Sequence, residues 1–556
     1  MLLERSTRGA AHVNQPMFIN RRSFVFVVVL LIAFSAFLDI FVALKMSGTT
    51  DEGKHLRYGA HILHLRPDRS FGGYYDSQMP ISALNAAPQV ITLSFERHHL
   101  RLPFAAALSS FRVSRFPTIL ATLALTLMVC WWAYDLYGAG PALAACLLCM
   151  LSPNLIAHGT LATTDMYHAL GVVASLFFFR RFLLQPTVRH ALLSGLALGL
   201  AQITKPFALS LYVVVCFTIV FAILRRSRHQ SLTPRRLLAF AAIAAASFVA
   251  VINIAYSFDR TFTFLGSYSF QSSVLTQVKE TPFLRQLPIP FPYPFLQGLD
   301  MMKYREETGD GMGNVYLLGN LGDSHSQDFN GFKSYYVVAW FYKEPIALQL
   351  LFLLGLVWIW KHRSLDDFVF GEGLLLAAAA VLLFWLSFSR AQFGIRTLLP
   401  ALAIEIVIAA AAFSGFSSMS RTKKAILSVL VLWLAGSVAS YYPQMIPYMN
   451  EWVRDRRLSY KILADSNLDW GQDSDVVEEF LRKNPDVILN PSEPVAGRIL
   501  VNANRLTGVD RWYPSSVYLA KRYRPTAQVG YAHFLFVVPA EDLPSLKAQP
   551  TPPHDY

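Results

Sequence analysis

The hydrophobic positions of this 556-residue chain fall in long blocks, separated by short polar connections and three longer polar stretches. The first block, Phe24 to Leu44 ("FVFVVVLLIAFSAFLDIFVAL"), is long enough at about 1.5 Å per residue to cross a hydrocarbon core of about 30 Å. It follows the basic pair Arg21 and Arg22, and no small-residue cleavage site ends it. It therefore reads as an anchor rather than a removed signal peptide. Further blocks begin near Phe116, Ala142, Leu161, Ala191, Phe207, Leu237, Pro345, Gly373, Leu398 and Ala425. The pattern predicts a polytopic α-helical membrane protein with about eleven transmembrane helices. The fifth block is short and carries Gly195 and Gly199 at small-xxx-small spacing, which suits close helix packing.

The longer polar stretches run from about Lys45 to Arg115, from about Phe258 to Tyr342, and from Tyr441 onward. In the last, helical patterns such as "DSDVVEEFLRK" alternate with strand-like runs such as "RILVN" and "AHFLFVV". The expected division is thus a transmembrane domain over 1–440, with outer loops at 45–115 and 258–342, and a small α/β domain over 441–556.

Composition agrees: 54% of residues are hydrophobic and 15% charged, where a soluble domain would carry about a quarter charged. The net charge of +13 suggests nucleic acid only until its placement is read. Arg180-Arg181, the "RRSRH" run from Arg225, Arg235-Arg236, Lys361 to Arg363 and Arg421 to Lys424 all lie in short connections. With the N-terminus cytoplasmic, every one of these clusters falls on the cytoplasmic side, and the C-terminus falls outside. The partner implied is a lipid bilayer and not nucleic acid. Cys130, Cys146, Cys149 and Cys216 lie within apolar blocks and read as packing residues.

Ionisable residues gather at the outer ends of the blocks: Asp51 and Glu52 after the first, Asp165 at the fourth, Lys205 between the fifth and sixth. Lys343 and Glu344 precede the eighth, and Arg396 the tenth. Singly each could snorkel or cap a helix; together they point to one rim carrying chemistry. A carboxylate facing cations suits sugar transfer from a lipid phosphate: a base takes the acceptor's hydroxyl proton, and positive charge receives the departing phosphate. Glycoside hydrolysis would instead want two carboxylates flanking one bond.

The motifs "DEGKHLRYG", "SPNLIAHGTLATTD", "GLALGLAQITKP", "YLLGN", "YKEP", "GIRTLLP" and "YMNEW" with "ADSNLDWGQD" together resemble the GT-C class of membrane glycosyltransferases. The resemblance is to bacterial members related to the protein O-mannosyltransferases, glycosyltransferase family 39. It implies a bacterial inner-membrane enzyme that moves a sugar, with mannose the first choice, from a polyprenyl-phosphate donor to a hydroxyl acceptor on a protein, lipid or glycan. By the same resemblance Asp51 is the base and Glu52 its neighbour in the acidic pair. Asp165 is a second active-site acid, orienting the acceptor or a metal, and Lys205, Arg396 and Lys343 hold the donor phosphate. Tyr58, Glu344 and Asp469 are candidate substrate contacts. The cofactor is left open, with a divalent metal ion as the candidate, and His55, His61 and His64 share one loop that could contribute ligands.

"ILADSNLDWGQDSD", residues Ile462 to Asp475, opens like a calcium loop. It lacks the glycine at the sixth position, where Trp470 stands, and the glutamate at the twelfth, where Val476 stands. The stretch reads instead as structural, with Asp473 capping a helix toward Lys483, Asp475 complementing its dipole and Trp470 buried. Contact with a substrate sugar is the second reading. Asp39, inside the first block, is expected to pair within the bundle. A transporter or flippase is the first rival function, but it would place its charges at the midplane on repeated halves, and no repeat is seen here. A non-catalytic membrane scaffold is the second.

Overall fold

The computed structural model describes residues 20–69, 78–98, 110–225, 234–510 and 516–547. The basic run beyond Arg225 and the last residues of the tail lie outside the described residues. Among the described helices, six are long and apolar enough to cross a membrane: Arg21–Lys45, Val113–Tyr137, Asp165–Leu184, Leu238–Ala255, Ile395–Ser418 and Arg421–Ala439. Two bent pairs, Ala139–Met150 with Pro153–Gly159 (60°) and Tyr335–Lys343 with Ile346–His362 (108°), raise the number to eight if each is one crossing. Of the other expected starts, Ala191 and Gly373 fall on the shorter helices Val188–Gln202 and Glu372–Ser387, and Phe207 falls in the 3-10 turn Pro206–Leu209 that leads into Ser210–Arg225.

The bends have a cause in the sequence. Pro153 and Pro345 supply no N–H and disfavour helical backbone in the residue before them, so each apolar block is interrupted where proline stands. Freed backbone groups at this depth need partners. Asn154 meets that need by donating to Lys343 O at 2.9 Å and to Glu344 Oε2 at 2.8 Å, which joins the two breaks.

Helix Val188–Gln202 lies between Asp165–Leu184 and Pro234–Ala255. A Cβ on Gly195 would sit 2.8 Å from Ala244 Cα, and one on Gly199 2.9 Å from Val251 Cβ. The small residues let these backbones approach, as their spacing predicts. Helix Leu399–Ala410 is buried along nearly its whole length and forms the centre of the bundle. Asp39 is buried in the first helix with Oδ2 unpartnered among the described residues, so the expected pairing within the bundle is not seen.

The first outer stretch contains two helices that were not foreseen, Glu52–Leu63 and Ala83–Arg97. After Ala439 the chain builds a four-stranded sheet from Val487–Leu489, Gly497–Asn502, Ala527–Val529 and His533–Val538. Gly497–Asn502 and His533–Val538 pair antiparallel in the centre, with Val487–Leu489 parallel at one edge. Alternation along the central pair sends Ile499, Val501, Phe534 and Phe536 into the main core. Leu500 and Leu535 go to the other face, where Val477 of helix Ser474–Lys483 covers them.

Candidate active site

The loop after the first helix is organised by Arg115, which is fully buried. Nε and Nη2 each reach one oxygen of Glu52 at 2.8 Å. Nη1 donates to Ala43 O and Met46 O, and Nη2 also to Ser47 O. All five guanidinium donors are thereby used. Glu52 further accepts from Thr49 N at 2.9 Å, from Thr49 Oγ1, and from Ala162 N at 2.8 Å. A forked ion pair with this many charge-assisted bonds fixes geometry, and it ties the first loop to the connection that precedes Asp165. Glu52 is 1% exposed, so it sits behind the site.

Asp51, one residue earlier, keeps 20% of its side chain exposed. Its Oδ2 accepts from Arg396 Nη1 at 3.1 Å, and its Oδ1 lies 3.4 Å from Lys54 Nζ. Burial works to raise the Asp51 carboxyl, but nearby positive charge, that of Arg396 above all, outweighs it and holds the group below its ordinary value. The group is a carboxylate at neutral pH. Asp165 opens helix Asp165–Leu184; Oδ1 pairs with Lys205 Nζ and Oδ2 accepts from Thr163 Oγ1 at 2.8 Å. His55 is buried nearby and is subject to the charges of Asp51 and Asp165 and of Lys205 and Arg396. Burial lowers its pKa, so it stays neutral, with Nδ1 3.4 Å from Ser82 Oγ.

Arg396 also donates through Nε to Phe393 O at 2.9 Å, and its guanidinium lies 4.1 Å over the Trp470 ring. Two of its five N–H groups are thus engaged among the described residues, which leaves donors for a further anion.

Trp470 brings the tail into the site. Its carbonyl accepts from Thr50 N at 3.0 Å and from Thr50 Oγ1 at 3.2 Å, while Gln472 O accepts from Ser47 N at 3.0 Å. On the other side Ser466 Oγ donates to Phe393 O at 2.8 Å, and Asn467 Oδ1 accepts from Ile395 N at 2.9 Å. Gly394 allows this approach: its φ is +83°, and a Cβ there would lie 2.7 Å from Ser466 Oγ. Residues 466–472 therefore clamp the Asp51 loop to the Arg396 segment. Helix Ser474–Lys483 starts where expected, but Asp473 makes no side-chain cap; its Oδ2 faces His533 Nδ1 at 3.0 Å. A buried imidazole is a stronger partner for a buried carboxylate than a backbone N–H.

The remaining candidates lie elsewhere. Lys343 is buried and donates to Ile446 O and Asn467 O at 2.6 Å each, bracing the tail loop instead of facing the cluster. Glu344 is fully buried against Asn154. Tyr58 donates to Pro67 O at 3.0 Å, with Arg69 over its ring. Asp469 is buried and accepts from Gly471 N. Among the described residues no group of three or more His, Cys, Asp or Glu is arranged to hold a metal ion. Sequence reading missed Arg115 altogether, because a lone arginine directly before Phe116 looks like any charge at a span boundary.

The cluster draws Arg115, Asp165 and Lys205 from one stretch of chain. Residues 100–254 match the family model for dolichyl-phosphate-mannose-protein mannosyltransferases. The chain thus resembles this mannosyltransferase family, of the GT-C class, in the segment that supplies those three residues. Among solved structures, the apo oligosaccharyltransferase of Archaeoglobus fulgidus aligns with 14% identity and a TM-score of 0.49, over 80% of this chain and 58% of the archaeal one. The chain therefore spans less than two thirds of that protein. ArnT from Cupriavidus metallidurans, bound to undecaprenyl phosphate, aligns with 12% identity and a TM-score of 0.41, over 95% of this chain and 98% of ArnT. No curated protein matches the chain significantly.

Proposed function

We propose that the chain is a membrane glycosyltransferase that moves a sugar, mannose being the first candidate, from a polyprenyl-phosphate donor to a hydroxyl acceptor at the outer face. The observation that carries this reading is the meeting of Asp51, Arg396, Asp165 and Lys205, from three separated stretches of the chain, as two neighbouring ion pairs. Carboxylates and cations in a partly buried cluster are what transfer from a lipid phosphate requires.

In the proposed step Asp51 accepts the acceptor's hydroxyl proton as its oxygen bonds to the anomeric carbon. The bond from that carbon to the phosphate oxygen breaks, and the phosphate leaves as an anion toward Arg396 and Lys205. One displacement inverts the anomeric configuration. The resting Asp51–Arg396 pair has a place in this scheme: a donor phosphate that takes up the guanidinium removes the counter-ion which holds Asp51 a weak base. Donor binding and base activation are then one event. Asp165 holds Lys205 and orients the acceptor. Outward placement of the loops and tail, and a full set of eleven crossings, belong to the same proposal.

The test uses purified protein in nanodiscs with polyprenyl-phosphate-linked sugars, beginning with mannose, and scores release of free polyprenyl phosphate. Asp51→Asn is expected to lower turnover by about 10² to 10⁴ while donor binding survives, because general-base catalysis contributes factors of that order. Full activity in both Asp51→Asn and Asp165→Asn would overturn the reading.

A further inference from the structure

The segment after helix Pro234–Ala255 is unusual for a stretch expected to stand in water. Of residues 257–291 only Leu265, Tyr268 and Ser272 are buried. Yet Phe258, Phe262, Phe264 and Leu287 are exposed, and Phe283 is exposed at 87%. Soluble surfaces do not gather large apolar side chains this way without something to cover them.

The backbone around these rings is well tied. Phe262 N donates to Ile289 O at 2.9 Å, Ile289 N to Thr263 O at 3.1 Å and Leu265 N to Leu287 O at 3.0 Å, pinning the two arms of the segment together. Asn253, still within the helix, accepts from Phe258 N through its carbonyl. Its side chain donates to Pro290 O at 2.9 Å and accepts from Thr261 Oγ1. Both arms are therefore tethered to the end of the apolar helix and cannot stand away from it. Ile254, in the last turn of that helix, is 66% exposed, and Phe258, just past the helix end where the chain turns left-handed at Ser257 (φ +53°), is 61% exposed. Exposed apolar side chains thus stand on both sides of the helix end. Arg260, which lies 4.0 Å over the Tyr293 ring and 3.4 Å from Asp259, and Arg285 are exposed in the same segment, and exposed arginines of this kind attract anionic lipid headgroups.

We infer that residues 258–291 form an interfacial foot that rests in the outer-leaflet boundary of the bilayer, with Phe262 and Phe283 reaching the acyl region and the two arginines meeting lipid phosphates. The occupant is the lipid surface itself, since both arms are hydrogen-bonded to the end of a helix, Leu238–Ala255, that is long and apolar enough to cross the bilayer. This reading does not rest on sugar transfer and survives if the proposed activity fails.

The test is depth-dependent quenching in nanodiscs holding one copy of the full chain. Cys216→Ser removes the exposed cysteine, and the other three are buried. An environment-sensitive fluorophore is then placed by Phe262→Cys or Phe283→Cys, with Ser492→Cys on the exposed turn of the tail as the aqueous reference. Phe283 is so exposed that its replacement leaves the fold's contacts intact. The expected result is blue-shifted emission at 262 and 283, quenched by lipids spin-labelled near the headgroup end of the acyl chain and insensitive to iodide, with the reverse at 492. Quenching by iodide but not by lipid at 262 and 283 would overturn the inference. So would shielding from both quenchers, because the face would then be covered by protein.

Discussion

At the scale of single residues, Glu52 and Asp51 divide labour that their adjacency conceals. Glu52 is locked by Arg115, whereas Asp51, 20% exposed, is the one of the two that a substrate could reach. Arg115→Met should therefore be costly: it leaves a buried carboxylate without its partner, a loss typically of about 3–5 kcal/mol. Adding Glu52→Gln should recover part of it, since an amide needs no counter-charge. Melting temperatures of the two single variants and the double variant measure this directly; strict additivity would show that the pair is not a unit. Arg396 gives a second residue-scale expectation. Arg396→Lys should retain more activity than Arg396→Ala, yet fall short of the natural enzyme. An ammonium supplies charge but neither the two-pronged grip on phosphate nor the flat stacking on Trp470. Equal activity in all three would remove Arg396 from the donor site.

At the scale of elements, the tail loop and the central strand meet at an ionisable cluster. Burial pushes the Asp469 carboxyl up to about 6, and although burial opposes it, Asp473 raises His533 above its usual range. Both groups hold their proton more tightly folded than unfolded. Their contributions are complete below the unfolded values and are lost as pH rises through the folded ones, through about 6 for Asp469 and somewhat above the histidine range for His533. Melting temperature should therefore fall between pH 5 and pH 8 in the natural chain. Asp469→Asn, which is neutral throughout, should flatten the lower part of that fall and melt higher than the natural chain at pH 8. Added calcium should leave both unchanged.

Elements also mark how far the sequence could be read. Long apolar blocks such as Phe24 to Leu44 announce their helices, because length and hydropathy are local. The charges at their ends pointed to Asp51, Asp165, Lys205 and Arg396 for the same reason. What stayed hidden depends on distant contact. Lys343 has the same sequence signature as Lys205, but the tail's carbonyls consume it. Asp473 has a capping position, but His533, far along the chain, claims its side chain. Helices Glu52–Leu63 and Ala83–Arg97 are too polar and too short to register as spans.

For the whole molecule, the placement of basic clusters predicts the orientation. A reporter fused after Arg228 should be cytoplasmic, and fusions after Asp300 or Tyr556 should be outside. A cytoplasmic Tyr556 fusion would put the tail on the wrong side of the bilayer from the Asp51 loop that it clamps.

That clamp also sets when the protein becomes competent. Every charged side chain of the cluster has been synthesised once Arg396 leaves the ribosome, yet the strut that fixes their spacing, residues 466–472, is still to come. A nascent chain that stalls with its helices inserted is thus complete in composition and idle in function. On the proposed function, a half-made copy would therefore be unable to draw on its donor while it waits to be completed or destroyed.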